Sequence, residues 1–146
     1  MNNKNIPVIA IDGPSASGKG TVAQRVAAKL GFHYLDSGAL YRLVALAAMR
    51  SGVDLSDESA LSEVAARLDV VFEDAEIRLD NENVTDAIRT EACGNAASRV
   101  AAYPLVRTAL LARQREFCQF PGLVADGRHP VDRRDGDVRI AYVALD

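Results

Sequence analysis

One stretch near the amino end constrains everything after it: Ile6 to Thr21, IPVIAIDGPSASGKGT. An apolar run, Ile6 to Ile11, stops at Asp12, and a glycine-rich loop then opens a helical pattern. Gly13, four loop residues, Gly18 and Lys19 form the skeleton of a phosphate-binding loop, set between strand and helix as that motif requires. Gly13 and Gly18 permit backbone conformations closed to residues with a Cβ, so successive N–H groups can converge on phosphate oxygens. The helix N-terminus adds roughly half a positive charge at the same point, and Lys19 adds a whole one. A plain turn rich in Gly and Ser would not account for strand, loop, lysine and helix in that order. The stretch therefore reads as a nucleoside triphosphate site built from Gly13, Pro14, Ser15, Ala16, Ser17, Gly18, Lys19, Gly20 and Thr21. It departs from the general pattern at one place. Where a Ser or Thr would follow the lysine to hold magnesium, Gly20 stands, and Thr21 comes next.

Bulk properties narrow the class further. At 146 residues the chain fits one domain, or a core with a small insertion. A formal charge of -3 supplies no basic field to recruit nucleic acid, so local arginines must serve a small anion. Cys93 and Cys118 lie far apart without a CxxC spacing or a partner histidine, the pattern of buried free thiols in a reducing compartment. The opening MNNKN has no signal-peptide core, and no apolar run approaches membrane-spanning length. A cytoplasmic protein without membrane contact is expected.

Along the chain, Val22, Val26, Ala27 and Leu30 recur at helical spacing from Lys19 to Leu30, and Gly31 stops the helix. Phe32 to Leu35 reads as a short strand. Asp36-Ser37-Gly38 then offers a turn and an N-cap for a helix from Ala39 to about Met49. That helix is apolar on most sides, so Arg42 in its first turn demands an explanation. Ser56 is expected to cap a further helix with Leu61, Val64, Ala65 and Leu68 on one face. Val70 to Phe72, Ile77 to Leu79 and Val84, split by Asp74-Ala75 and Asn81-Glu82-Asn83, predict a small antiparallel meander, separate from any parallel sheet. Helix returns from about Glu91, breaks at Tyr103-Pro104, and resumes with Pro104 in first position and Val106, Leu110 and Phe117 as its buried stripe. Leu123 to Ala125 and Val138 to Leu145 read as strands.

Strand, loop and helix in repetition indicate an α/β fold with a parallel core sheet, which binds ligands beyond the carboxyl ends of its strands. Asp12, Asp36-Ser37 and Asp126-Gly127-Arg128 all fall at such ends, which argues for one site.

Beyond the phosphate loop, LDSGALYR at Leu35 to Arg42, IRT at Ile88 to Thr90, NAAS at Asn95 to Ser98, VRTALLARQR at Val106 to Arg115 and GLVADGR at Gly122 to Arg128 form a specific set. With IDGPSASGKGT, whose GKGT form is common in nucleoside monophosphate kinases, the chain resembles bacterial cytidylate kinases from Ile6 to Arg128. The resemblance implies a P-loop nucleoside monophosphate kinase fold, transfer of the γ-phosphate of ATP to CMP or dCMP, and magnesium. It implies a single domain over 1–146, with core segments 1–38 and 104–146 and a monophosphate-binding region at about 39–103. Gly13 to Thr21 would hold the ATP phosphates, with Lys19 on the outer ones. Ser37, Arg42 and Arg128 would meet the acceptor phosphate, and Ser98 and Arg107 the nucleoside. Asp126 would organise magnesium through water, and Lys19, Arg128 and Asp126 would carry the transfer itself. Such a kinase is expected to act as a monomer. Each residue also has a duller reading: Arg42 as a snorkelling side chain, Arg107 as a helix-face cation, Asp126 as a strand cap.

After Arg128 the family pattern fails. Its members continue with an Asp, a Met-Gly-Thr run and an apolar strand, whereas this chain reads His129-Pro130-Val131-Asp132-Arg133-Arg134. The missing Asp helps to read cytosine in the family, and His129 is expected to be a solvated loop residue, not a base catalyst. The family also continues past the position of Asp146 through an arginine-rich lid and closing helices. Two outcomes are therefore expected of this chain: a working cytidylate kinase, or a catalytically silent fragment that binds nucleotide without turnover. A GTPase would need a guanine-reading motif, and none stands out.

Overall fold

The computed structural model describes residues 6–12, 18–73, 76–126 and 139–144, with only the backbone of Asp12, Lys19 and 139–144. The chain divides into two compact units: Met1–Ser37 with Gln114–Asp146, and Gly38–Arg113.

The first unit is built on a parallel sheet. Strand β1 (Pro7–Asp12) leads to helix α1 (Lys19–Leu30) and strand β2 (His33–Asp36); later in the chain come β6 (Leu123–Asp126) and β7 (Arg139–Ala144). The order across the sheet is β2-β6-β1-β7, all pairs parallel. Burial on both faces calls for an apolar strand, and in β6 all four residues are buried. The two strands expected at Leu123 and Val138 are thus present, and the one expected from Phe32 begins one residue later, at His33.

Helix α1 ends as its sequence predicts, with Gly31 in the left-handed region at φ 69° and its N–H on the carbonyls of Ala27 and Ala28. Of the four residues expected on its packing face, Val26 and Ala27 are there and Val22 and Leu30 are not. Ala23 and Ala27 are buried with Ile11 and Val124, and Val26 packs at the edge of this cluster, while Val22 and Leu30 are exposed. Small side chains let the helix backbone approach a flat sheet, so the larger residues turn outward. A second close approach lies at Gly122, where a Cβ would come within 2.6 Å of the Phe32 ring.

The second unit is helical with a small sheet of its own. Helix α2 (Ser37–Arg50) is followed by α3 (Glu58–Ala66), the strands β3 (Val70–Glu73), β4 (Glu76–Leu79) and β5 (Glu82–Asn83), then α4 (Glu91–Ala101) and α5 (Pro104–Glu116). The α2 helix begins at Ser37, two residues before the expected start, and buries Ala39, Leu40, Leu43, Val44, Ala45 and Ala48. The cap of α3 is Asp57, whose carboxylate accepts from the Ala60 N–H, not Ser56. Ser56 is committed elsewhere: its N–H and hydroxyl both donate to Asp54 Oδ1, a local turn that competes with capping. Strands β3, β4 and β5 form the expected antiparallel meander, but β5 takes Glu82 and Asn83, which the sequence assigns to a turn, in place of Val84. The turn into β5 is made by Asp80 and Asn81, at φ 50° and 67°, one position earlier than the sequence suggests. Pro104 opens α5 as expected, and Glu58 accepts from the Leu105 N–H at 3.0 Å, so α3 caps α5. Cys93 and Cys118 are free and buried. Among the described residues, no helix is long and apolar enough to cross a membrane.

Candidate nucleotide-binding site

In the first unit three aspartates terminate strands at one sheet edge. Asp36 and Asp126 are direct partners in the β2–β6 ladder, and Asp126 pairs with Ile11, one residue before Asp12, in the β6–β1 ladder. Polar residues gather there because the apolar runs all end at the same level. The edge is the carboxyl end of a parallel sheet, where ligands of this architecture sit.

Helix α1 starts at this edge. Gly18 caps it at φ 78°, a backbone position that favours glycine, and no side chain caps it. Gly20, in its first turn, has the carboxylate of Asp126 in front of it: a Cβ there would lie 3.4 Å from Asp126 Oδ2. The absent side chain at the position after the lysine therefore leaves open the space beside that carboxylate.

Asp126 is buried, with 7% of its surface exposed. The Tyr34 hydroxyl donates to its Oδ2 at 3.5 Å, and the Ser37 hydroxyl donates to its carbonyl oxygen at 2.7 Å. Burial, together with the negative charge of Asp36 and Asp126, pushes the Tyr34 phenol well above its ordinary range, and a hydrogen bond with Gln24 acts against this. Tyr34 consequently keeps its proton and remains a donor. Among the described residues no group of three or more His, Cys, Asp or Glu could hold a metal ion. A buried carboxylate facing a glycine does fit a cation held through water, with phosphate and water as the remaining ligands.

In the second unit Arg42 is half-buried, and its Nη1 donates to the carbonyl oxygen of Ile88 at 2.7 Å. The Cys93 thiol donates to the Arg42 carbonyl oxygen at 3.3 Å. The expected candidate Ser98 lies on α4, where its hydroxyl donates to the Gly94 carbonyl oxygen at 3.2 Å. Arg107, on α5, donates through Nη1 to the carbonyl oxygens of Ala101 and Ala102, both at 3.0 Å, and so caps the end of α4. Burial raises the Tyr41 phenol above its ordinary range, and the positive charge of Arg107 opposes that rise.

Gly20, Ser37 and Asp126 are thus brought together in the first unit, and Arg42 and Ser98 are joined through α4 in the second. Thr21 is exposed in the first turn of α1. Gly13, Pro14, Ser15, Ala16, Ser17, Arg128 and His129 lie outside the described residues, as does the Lys19 side chain. Sequence reasoning missed Tyr34, the Ile88 carbonyl and Gly94. A tyrosine two residues before the strand-ending Asp36 was a usable signal for the first; nothing local marks the other two.

A family model for cytidylate kinase matches residues 9–132. The chain belongs to the cytidylate kinase family. It is 61% identical over 128 residues to a cytidylate kinase of Nitrosomonas eutropha, a match covering 88% of this chain and 57% of that protein. Cytidylate kinases of Nitrosomonas europaea, 57% identical over 128 residues, and Polynucleobacter asymbioticus, 62% identical over 123, are similar to it over 57% and 56% of their lengths. The chain therefore spans a little over half the length of these cytidylate kinases. Its α/β architecture, with a parallel sheet and a separate antiparallel meander, is the one the sequence resemblance implied.

Proposed function

We propose that this chain supplies the phosphate loop and the acceptor-binding unit of a cytidylate kinase, passing the γ-phosphoryl group of ATP to CMP or dCMP to give ADP and CDP or dCDP. Gly13 to Thr21 cradle the ATP phosphates and Lys19 meets the outer ones. Arg42, Ser37 and Arg128 hold the acceptor phosphate; Ser98 and Arg107 meet the nucleoside. Magnesium, when bound, neutralises charge on the outer phosphates, and Asp126 orients its water ligands. Phosphoryl transfer asks little covalent chemistry of a protein; it asks for two polyanions held in line and cations to spread their charge. Free, buried thiols accord with the reducing cytoplasm.

The observation that best supports this reading is the setting of Arg42. A half-buried guanidinium is costly unless its donors and its charge are partnered. Its hydrogen bond here goes to a neutral carbonyl, and among the described residues no carboxylate pairs with it. Its charge is left to attract an anion, and its planar fork suits phosphate.

Turnover with CMP, dCMP, AMP and UMP, read by coupled ADP release beside equilibrium binding of CMP and ATP, tests the proposal. Turnover of CMP and dCMP well above AMP and UMP is expected. Equal turnover of all four removes the cytosine assignment, and binding without turnover makes the chain a silent nucleotide-binding fragment.

A further inference from the structure

Gly94 sits inside helix α4, and its N–H donates to the Thr90 carbonyl oxygen at 3.0 Å. Its φ is not positive, so its backbone would accept any residue, and alanine would favour the helix more. What glycine alone offers here is a missing Cβ. A Cβ built on Gly94 would lie 3.2 Å from Arg42 Nη2, 3.3 Å from Nη1 and 3.5 Å from Cζ. Both terminal nitrogens are nearer than the carbon that joins them, so the Nη1–Nη2 end of the Arg42 guanidinium abuts α4 at this residue.

Arg42 has little freedom to avoid an added methyl group. Its Nη1 is tied to the Ile88 carbonyl at 2.7 Å, and its own carbonyl accepts from Cys93, the neighbour of Gly94, at 3.3 Å. Both ends of Arg42 are therefore referenced to the segment that carries Gly94. The Gly94 carbonyl also receives the Ser98 hydroxyl.

We propose that Gly94 is a positioning residue: its bare Cα leaves room for the Nη1–Nη2 end of the Arg42 guanidinium, and so sets the direction in which the remaining in-plane N–H groups meet the acceptor phosphate. The second half of this inference rests on the proposed role of Arg42; the seat itself does not. Guanidinium donors lie in one plane, and phosphate accepts from them in that plane, so a lift or tilt of a few tenths of an ångström misaligns the pair.

The test is Gly94→Ala in the whole chain, beside Arg42→Ala, read three ways. Thermal unfolding of Gly94→Ala is expected to stay level or rise by up to about 4 °C, because alanine is the better helix former. The side-chain N–H resonances of Arg42, followed by ¹⁵N NMR without ligand, are expected to shift and to lose protection from exchange. CMP binding is expected to weaken about threefold to tenfold, with ATP binding unchanged. Arg42 resonances and CMP affinity that both stay at wild-type values in Gly94→Ala would overturn the seat. Shifted Arg42 resonances with CMP affinity unmoved in both variants would support the seat and reject the assignment of Arg42 to the acceptor phosphate.

Discussion

The hydroxyl of Ser37 donates to the carbonyl oxygen of Asp126 over 2.7 Å, joining the first residue of α2 to the last residue of β6. Both residues were marked by the sequence as ligand contacts, and the bond shows that one restrains the other. Replacing Ser37 with alanine leaves the Asp126 carbonyl without this donor. Ser37→Ala is expected to lower stability by about 1 kcal/mol, a fall in unfolding temperature of about 2–4 °C. Urea unfolding measures it, and an unchanged midpoint would mean that the bond contributes nothing.

Gly122 is held to glycine by its neighbour. A Cβ there would approach the Phe32 ring to 2.6 Å, and ring atoms packed beside the sheet have little room to retreat. Gly122→Ala is expected to cost about 1–3 kcal/mol as overpacking. A variant as stable as the parent would show that the β2 end of the sheet yields freely.

The alkaline limit of stability follows from buried acids. Burial raises the thiols of Cys93 and Cys118 above their ordinary 9.0, and raises the phenols of Tyr34 and Tyr41 above 10.0. Each group holds its proton more tightly folded than unfolded. Its contribution is therefore complete below the unfolded value and is lost as pH rises beyond it. Unfolding free energy should be flat near pH 8 and fall from about pH 9 upward. Chemical denaturation at pH 8, 9, 10 and 11 tests this, and stability that rises over that range would reverse the sign.

Much of the fold was legible because local and tertiary preferences agree. Gly31 ends α1 and Pro104 opens α5 through backbone chemistry that needs no partner. The aspartates at the sheet edge were legible for a related reason: apolar runs stop at a common level, and the Asp36–Asp126 register follows. The errors occur where a distant or competing partner decides. Ser37 starts α2 early while bonded to Asp126, and Ser56 gives up the cap because Asp54 takes its hydroxyl. In the buried stripe of α1, Ala23 joins the expected Ala27 while Val22 and Leu30 stay out, because contact with a sheet rewards closeness over side-chain size. Gly94 and Gly122 carried no local signal at all, since the residues that need their bare Cα atoms, Arg42 and Phe32, are remote in sequence.

The proposed phosphate loop has its own test. Lys19→Ala should weaken ATP binding by tenfold or more while CMP binding stays within about twofold, since a charge-assisted bond to phosphate is worth about 1.5–3 kcal/mol. Equilibrium titration with each nucleotide distinguishes the two. Unchanged ATP affinity would remove Lys19 from the triphosphate site.

The central claim is that Arg42 is set aside for the phosphate of the accepting nucleotide, and titration of Arg42→Ala with CMP and with ATP tests it most directly. The account predicts CMP affinity reduced about tenfold to a hundredfold with ATP affinity within about twofold of the parent. Equal loss of both nucleotides, or CMP affinity that does not change, would contradict it.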